Sequence, residues 1–390
     1  MLIICEPQCI GFEHVELNSA LITLHRNAFP KERILFFAEK SHLEHVRAKV
    51  DGDGGSTVEF YAIGVPVSRR YESLRLPRDL ATCCKIFHIA RKNGCDKVLF
   101  CSITGSTLFS IKTLMKFYSE LKCVVIPHVI LETILDKPPG NPIEMPFWFR
   151  RVLGEGNNDN IFYLVLGESI RERLCREIPK LAGHVGAMDH PYHFVNTERS
   201  IRKLSIDDST ISFGFFGIGL RKKGIDLFVR MAGELREMKA MMRPNFVVIG
   251  KILDKETRSR PLDHLEVPSP VQPLSRDQYD YYANKVDYSL FLYRANTHRL
   301  NPCGTMYDAF SYLKPMIAIG NPYLEYYFRT YGDIGYLCED YEDVKATILK
   351  ILNEKPDARY LEQQKNLLNA RDRLKIYGIP DEIRSFWNKK

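Results

Sequence analysis

The residues best suited to chemistry lie in Ile211–Asp226, ISFGFFGIGLRKKGID. An apolar run of strand length leads into Gly214, Gly217 and Gly219. Arg221, Lys222 and Lys223 follow, then Gly224 and a helical stretch. Glycine lacks a Cβ, so backbone there approaches a ligand closely. Amides at a helix start, joined by cations, form an anion site. A pyrophosphate fits that description. The spacing is not G-x-G-x-x-G with an acidic residue about 20 positions later, so a dinucleotide fingerprint is absent. Read blandly, the same residues form a tight strand–helix turn with solvated basic side chains.

A second segment runs from Asn301 to Pro315, NPCGTMYDAFSYLKP. Gly304 and Thr305 open a short helix, with Asp308 placed near its first turn. Thr305 and the first amides can hold phosphate. Asp308 can accept two ribose hydroxyls. On its own, the segment reads equally as a capped helix whose Asp308 favours the dipole.

These segments need rigid elements behind them. The chain has 390 residues, 45% apolar and 26% charged. One core serves about 100–200 residues, so two domains are expected. The mixture excludes a disordered, collagenous or low-complexity chain. A net charge of +7 permits an anionic partner without demanding nucleic acid. No apolar run approaches the roughly 20 residues of a membrane span. The first ten residues lack a basic n-region and read as a strand. The 10 cysteines form no CxxC pair and sit mostly in apolar runs, the pattern of free thiols in a reducing cytosol.

Continuous apolar runs predict strands at Leu2–Cys5, Arg33–Phe37, Val58–Ala62, Lys97–Ser102, Lys122–Ile126 and Ile161–Leu166. A second series covers Ile211–Phe216, Phe246–Gly250, Tyr288–Tyr293, Pro315–Ile319 and Gly335–Cys338. Such runs suit strands buried on both faces of a parallel sheet. Helices fit between them. The stripe Phe228, Met231, Ala232, Leu235 and Met238 predicts one over Ile225–Ala240. Arg91–Cys95 reads as a helix end capped at Gly94. The alternation predicts a doubly wound α/β fold with a sheet of five or six strands on each side. It pauses at the polar His193–Thr210, which reads as a linker.

Lys223-Gly224 before a helix, then Asp308-Ala309 and Lys314-Pro315-Met-Ile-Ala318, resemble the nucleotide-sugar glycosyltransferases of the GT-B fold, particularly the retaining family 4. The resemblance covers about residues 210–340, and the first half only in layout. It implies two Rossmann-like doubly wound domains facing a cleft. These are residues 1–205 for the acceptor, 206–370 for the nucleotide-sugar donor, and a helical tail, 371–390, packing back on the first domain. It implies that Lys223 contacts the donor diphosphate and Asp308 the ribose. Gly217, Gly219, Arg221, Gly304 and Thr305 complete the expected donor site. The family has an arginine where Ile218 stands, for which Arg221, Arg294 or Arg299 substitutes. It has a glutamate where Leu300 stands, and glutamate rather than aspartate at 308.

The implied reaction moves a sugar from a UDP- or GDP-sugar to a glycan or lipid-linked acceptor of a bacterial surface polysaccharide. It calls for no metal, cofactor or nucleic acid. An epimerase and a non-catalytic binding subunit on the same fold stay as alternatives. Ligands in open α/β sheets bind at the carboxyl ends of strands. The loop Glu6–Glu16 follows the first strand and offers Gly11, Glu13 and His14 to the acceptor. His128, just after the strand 122–126, is the expected catalytic residue. It either positions the sugar or takes the acceptor proton, with a pKa near working pH. Phe147–Arg151, FWFRR, is an aromatic–basic patch, read either as core or as a weak dock on an anionic membrane. The expected location is cytoplasmic, peripheral on the inner membrane face. Asp51-Gly-Asp53 imitates a metal-binding D-x-D but reads as a surface turn.

Overall fold

The computed structural model describes residues 1–50, 58–65, 71–128, 130–194, 209–294, 297–376 and 380–388. Most of the expected linker and the Asp51–Asp53 turn lie outside the described residues. The chain divides into two compact units. One comprises Met1–His193, Leu300–Pro302 and Leu374–Lys390; the other comprises Phe194–Arg299 and Cys303–Arg373.

In the first unit, seven strands form one parallel sheet. They are β1 (Leu2–Cys5), β2 (Ile34–Ala38), β3 (Val58–Ala62), β4 (Lys97–Phe100), β5 (Lys122–Val125), β6 (Ile161–Leu166) and β7 (Val185–Met188), in the order β3-β2-β1-β4-β5-β6-β7. Ile4 pairs with Phe36 on one side and Leu99 on the other. Strands β1, β2 and β6 are buried throughout, as continuous apolar runs require, while edge strand β3 is partly exposed. The order reverses between β1 and β4, which makes a switch point there.

The sequence pattern misses β7, VGAM, which is short and weakly apolar. A Cβ on Gly186 would lie 2.3 Å from the Phe386 ring. Packing on β7 therefore comes from a side chain 200 residues later. Phe386 and Trp387 sit on the helix Pro380–Asn388 and are buried in the first unit's core. Trp387 Nε1 donates to His25 Nε2 at 3.2 Å, and His25 Nδ1 donates to the Leu21 carbonyl at 2.8 Å. Burial lowers the His25 pKa to about 4, so the ring is neutral and can accept that bond.

The second unit has five parallel strands: β8 (Thr210–Phe216), β9 (Arg243–Ile249), β10 (Tyr288–Phe291), β11 (Met316–Ile319) and β12 (Gly335–Cys338). Their order is β12-β11-β10-β8-β9, reversing between β8 and β10. In the core Phe213 stacks on Phe246 and Tyr288, and Phe228 meets Phe246 edge-on. The helix after β8 ends at Arg236, short of the expected Ala240, and Met238 is exposed.

The patch Phe147–Arg151 is split between core and surface, with Arg151 exposed. Phe147 and Phe149 are buried, and Phe147 packs edge-on against Phe109 at 5.5 Å. Arg150 donates to the carbonyls of Ile134 and Glu177, each at 3.0 Å. Its two buried phenylalanines cannot dock on a membrane. Among the described residues no helix is long and apolar enough to cross one.

Candidate functional site

Both switch points carry the residues singled out above. In the second unit, the loop after β8 and the segment after β10 flank the reversal. Gly217 has φ 82°, and a Cβ there would lie 2.6 Å from Thr305 Cγ2. A side chain would push the loop off the helix Gly304–Ser311. Gly224 has φ 78°, and its Cβ would meet the Leu292 carbonyl oxygen at 2.0 Å. These two glycines hold the loop against the ends of its neighbours.

Their amides do different work from that expected. Gly217 N–H donates to the Ile249 carbonyl and Gly219 N–H to the Lys251 carbonyl, each at 2.9 Å. The glycine amides extend pairing with the chain after β9 and do not cradle an anion. The feature that suits an anion is elsewhere. Four helices of this unit open on a side-chain cap, from Asp254, Ser275, Asn321 and Asp340. The two at the switch point do not. Ile225–Arg236 opens on Gly224 and Gly304–Ser311 on Cys303, with no side-chain cap at either. Two positive dipole ends thus go uncapped by side chains at one place.

Lys223 stands beside them, half-buried. Burial lowers its pKa, opposed by the neighbouring Cys303 and Asp308. Arg221 is different. It is exposed and ion-paired with Glu256 at 2.6 Å and Asp226 at 3.6 Å. Arg294 also pairs with Asp226, at 2.5 Å. These two cations are occupied at the surface, so neither fills the gap left by Ile218 as the structure stands.

Thr305 shares its hydroxyl with the Tyr293 phenol at 3.0 Å, and Tyr293 also meets Cys303 Sγ at 2.9 Å. Burial raises the Tyr293 pKa, keeping the phenol protonated. Gly304 is exposed with open space around its Cα. Asp308 lies beyond the first turn, so a dipole role does not account for it. Its Oδ2 accepts a hydrogen bond from the Tyr279 phenol at 2.8 Å. Leu300, where the resembled family has glutamate, is fully buried.

In the first unit, the loop after β1 is held by a buried polar chain. Glu6, 0% exposed, accepts from the backbone N–H of Gln8 at 2.9 Å and Cys9 at 3.2 Å, from Asn18 Nδ2 at 3.2 Å, and from Ser102 after β4. Asn18 Nδ2 meets His42 Nε2 at 2.8 Å, and His42 Nδ1 meets the Gly11 carbonyl at 2.8 Å. The carbonyl must accept, so His42 carries its proton on Nδ1. Gly11, with φ 58°, donates to Ser41 Oγ at 3.1 Å. Exposed Glu13 accepts from Ile10 N–H at 3.2 Å. Glu6, Cys9 and His14 bring ligand atoms within 4.8 Å of one another. Yet the carboxylate already accepts four hydrogen bonds, and burial beside it pushes the Cys9 thiol far up. Such a trio suits loop geometry better than a metal.

His14 ends this loop in the left-handed region, φ 53°. Its Nδ1 lies 3.1 Å from His128 Nε2. The structure corrects the expected titration of His128. Burial, then His14 and His190, hold its pKa well below the ordinary value. His128 is neutral at working pH and 8% exposed, while His14 is the more open of the pair. His190 is also neutral, lowered to about 4 by burial.

Sequence reasoning missed Tyr279 and Tyr293, which no motif includes. A signal for the first was present: Ser275-x-x-Gln278 is a capping box that starts the helix Arg276–Lys285.

No family model and no curated protein matches the chain. Solved structures do. Alr3699/HepE of Anabaena in complex with UDP is similar at 13% identity and TM-score 0.67, over 99% of each chain. WaaG, a glycosyltransferase involved in lipopolysaccharide biosynthesis, is similar at 11% identity and TM-score 0.64, over 100% of each chain. A protein of Listeria monocytogenes described as a UDP-N-acetylglucosamine 2-epimerase is similar at 13% identity and TM-score 0.57, over 100% of this chain and 97% of that one. At such identities the likeness is one of fold: two Rossmann-like parallel-sheet α/β domains of the GT-B type.

Proposed function

We propose that the protein is a glycosyltransferase that moves a sugar from a UDP- or GDP-sugar to a hydroxyl acceptor. The observation that carries this is the pair of helix N-termini without side-chain caps at the β8/β10 switch point, with half-buried Lys223 beside them. Dipole ends and a cation stabilise the diphosphate as it departs. In this reading Lys223, Gly304 and Thr305 meet the diphosphate and Asp308 the ribose. Gly217 and Gly219 shape the loop, and Arg221 lies at the margin unless it leaves its carboxylates. The motif resemblance to family 4 and the UDP complex of HepE support the same donor class.

The first unit then serves the acceptor. Gly11 and Glu13 shape and line its loop, and His14 with His128 forms a hydrogen-bonded pair there. The pair can pass one proton, with His14 as the member that meets the hydroxyl and His128 behind it. The acceptor class that the WaaG likeness favours is a glycan or lipid-linked glycan of a bacterial surface polysaccharide. The matching location is cytoplasmic, with weak contact to an anionic membrane through the net +7 charge.

A sugar-nucleotide epimerase is the second reading. The likeness to the Listeria protein favours it. A thermal-shift screen with UDP-, GDP-, CMP- and TDP-sugars tests the donor site, since a ligand of the native state raises apparent stability. Product analysis with donor alone then separates the two reactions, because an epimerase needs no acceptor. If no nucleotide sugar shifts the protein at millimolar concentration, the donor reading is wrong.

A further inference from the structure

We propose that Tyr279 is a positioning residue that aims the Asp308 carboxylate at the ribose hydroxyls of a nucleoside diphosphate; this rests on the donor-site reading above. Aspartate is one methylene shorter than the glutamate of the resembled family. Its terminal torsion is also broad, with no staggered well to hold the carboxylate plane. A short carboxylate must therefore be oriented from outside if it is to grip two neighbouring hydroxyls.

Tyr279 does that. Its phenol donates to Asp308 Oδ2 at 2.8 Å. Its ring packs edge-on against Phe216, at the end of β8, with centroids 6.3 Å apart, and lies 6.3 Å from the Tyr312 ring. The helix that carries it is pinned in turn. The Ser275–Gln278 capping box fixes its start, Arg276 pairs with Asp280 at 2.9 Å, and the Tyr312 phenol donates to Asp280. The phenol is thus placed by the elements on either side of the switch point. The bond from Tyr279 occupies one of the roughly four lone-pair sites of the carboxylate and biases its orientation.

The experiment is calorimetric titration of the full chain with UDP and 2′-deoxy-UDP, and with GDP and 2′-deoxy-GDP. Wild type, Tyr279→Phe and Asp308→Asn are compared, with Tm measured for each. In the preferred base series, wild type should bind the ribonucleotide about tenfold more tightly than its deoxy analogue. Asp308→Asn should abolish that preference. Tyr279→Phe should reduce it to about threefold or less while barely changing affinity for the deoxy analogue. If Tyr279→Phe keeps the full preference while Asp308→Asn loses it, Tyr279 merely ties two helices together, and the proposal fails alone. A lowered Tm with equal weakening of both ligands means the same. If Asp308→Asn keeps the preference, or wild type binds neither series, the donor-site reading fails and takes this proposal with it.

Discussion

The two units have the same architecture but different buried polar chemistry. All the histidines except His264 and His298, and all the cysteines except Cys303 and Cys338, belong to the first unit. Most of the 20 tyrosines belong to the second, where Tyr307, Tyr323 and Tyr327 cluster through their phenols. Imidazole changes charge near neutral pH, whereas phenol does not. Burial widens the difference: it lowers His25, His128 and His190 and raises Tyr288, Tyr293 and Tyr312. Of two sheets of one kind, only the one with the imidazole-bearing core thus responds to mild acid.

The largest expected effect tests which unit the tail supports. Trp387→Ala removes a buried indole and the donor to His25, and should cost the first unit about 3–5 kcal/mol. Hydrogen exchange should show lost protection across β1, β6 and β7, with β8–β12 unchanged. Equal loss in both units would break the comparison.

Mild acid comes next. His25 and His190 have folded-state pKa values of about 4, below the ordinary value. The unfolded chain therefore takes up protons first. Their stabilising contribution is complete above about pH 6.5 and is lost as pH falls toward 4. Between pH 7 and 5, each imidazole should remove about 2 kcal/mol from the first unit. Exchange measured at both pH values should show that unit loosening first. Earlier loosening of the second would refute the assignment.

Lys223→Ala sharpens the contrast by acting only on ligand. It should weaken nucleotide-diphosphate binding by about 1.5–3 kcal/mol, the scale of a charge-assisted contact. His14→Ala should leave that binding unchanged and lower transfer to acceptor. Calorimetry and initial rates separate the two, and weakened nucleotide binding in His14→Ala would argue against separate roles. The smallest effect is local. Ser275→Ala deletes the cap of Arg276–Lys285 and should cost the second unit about 1 kcal/mol, read as a modest fall in its Tm and none in the first unit.

Much of the fold is legible in the apolar runs, because strands buried on both faces need little besides Val, Ile, Leu and Phe. Strands β1, β3, β6 and β12 fall where those runs lie. β7 escapes because its packing partner is remote, and a contact between Gly186 and Phe386 leaves no local pattern. The candidate site is legible where backbone shape demands a residue type: Gly217 and Gly224 are required by close approach. It is illegible where burial decides. Phe147–Arg151 reads equally as core or as a membrane dock until Phe109 is seen packed on Phe147, and His128 looks titratable until it is enclosed. The amides of Gly217 and Gly219 look available until the chain after β9 claims them.

The helix Pro380–Asn388 also sets an order in time. The ribosome releases the first unit's other strands and helices long before it makes Trp387 and Phe386. At about 5–20 residues per second, the groove at Gly186 waits roughly 10–40 seconds for its cover. During that interval β7 and the helix Val15–Ala28 expose an apolar seam, while the second unit has all its strands before the last turn of chain emerges. The second unit's core can therefore close before the first's, although it is encoded after it.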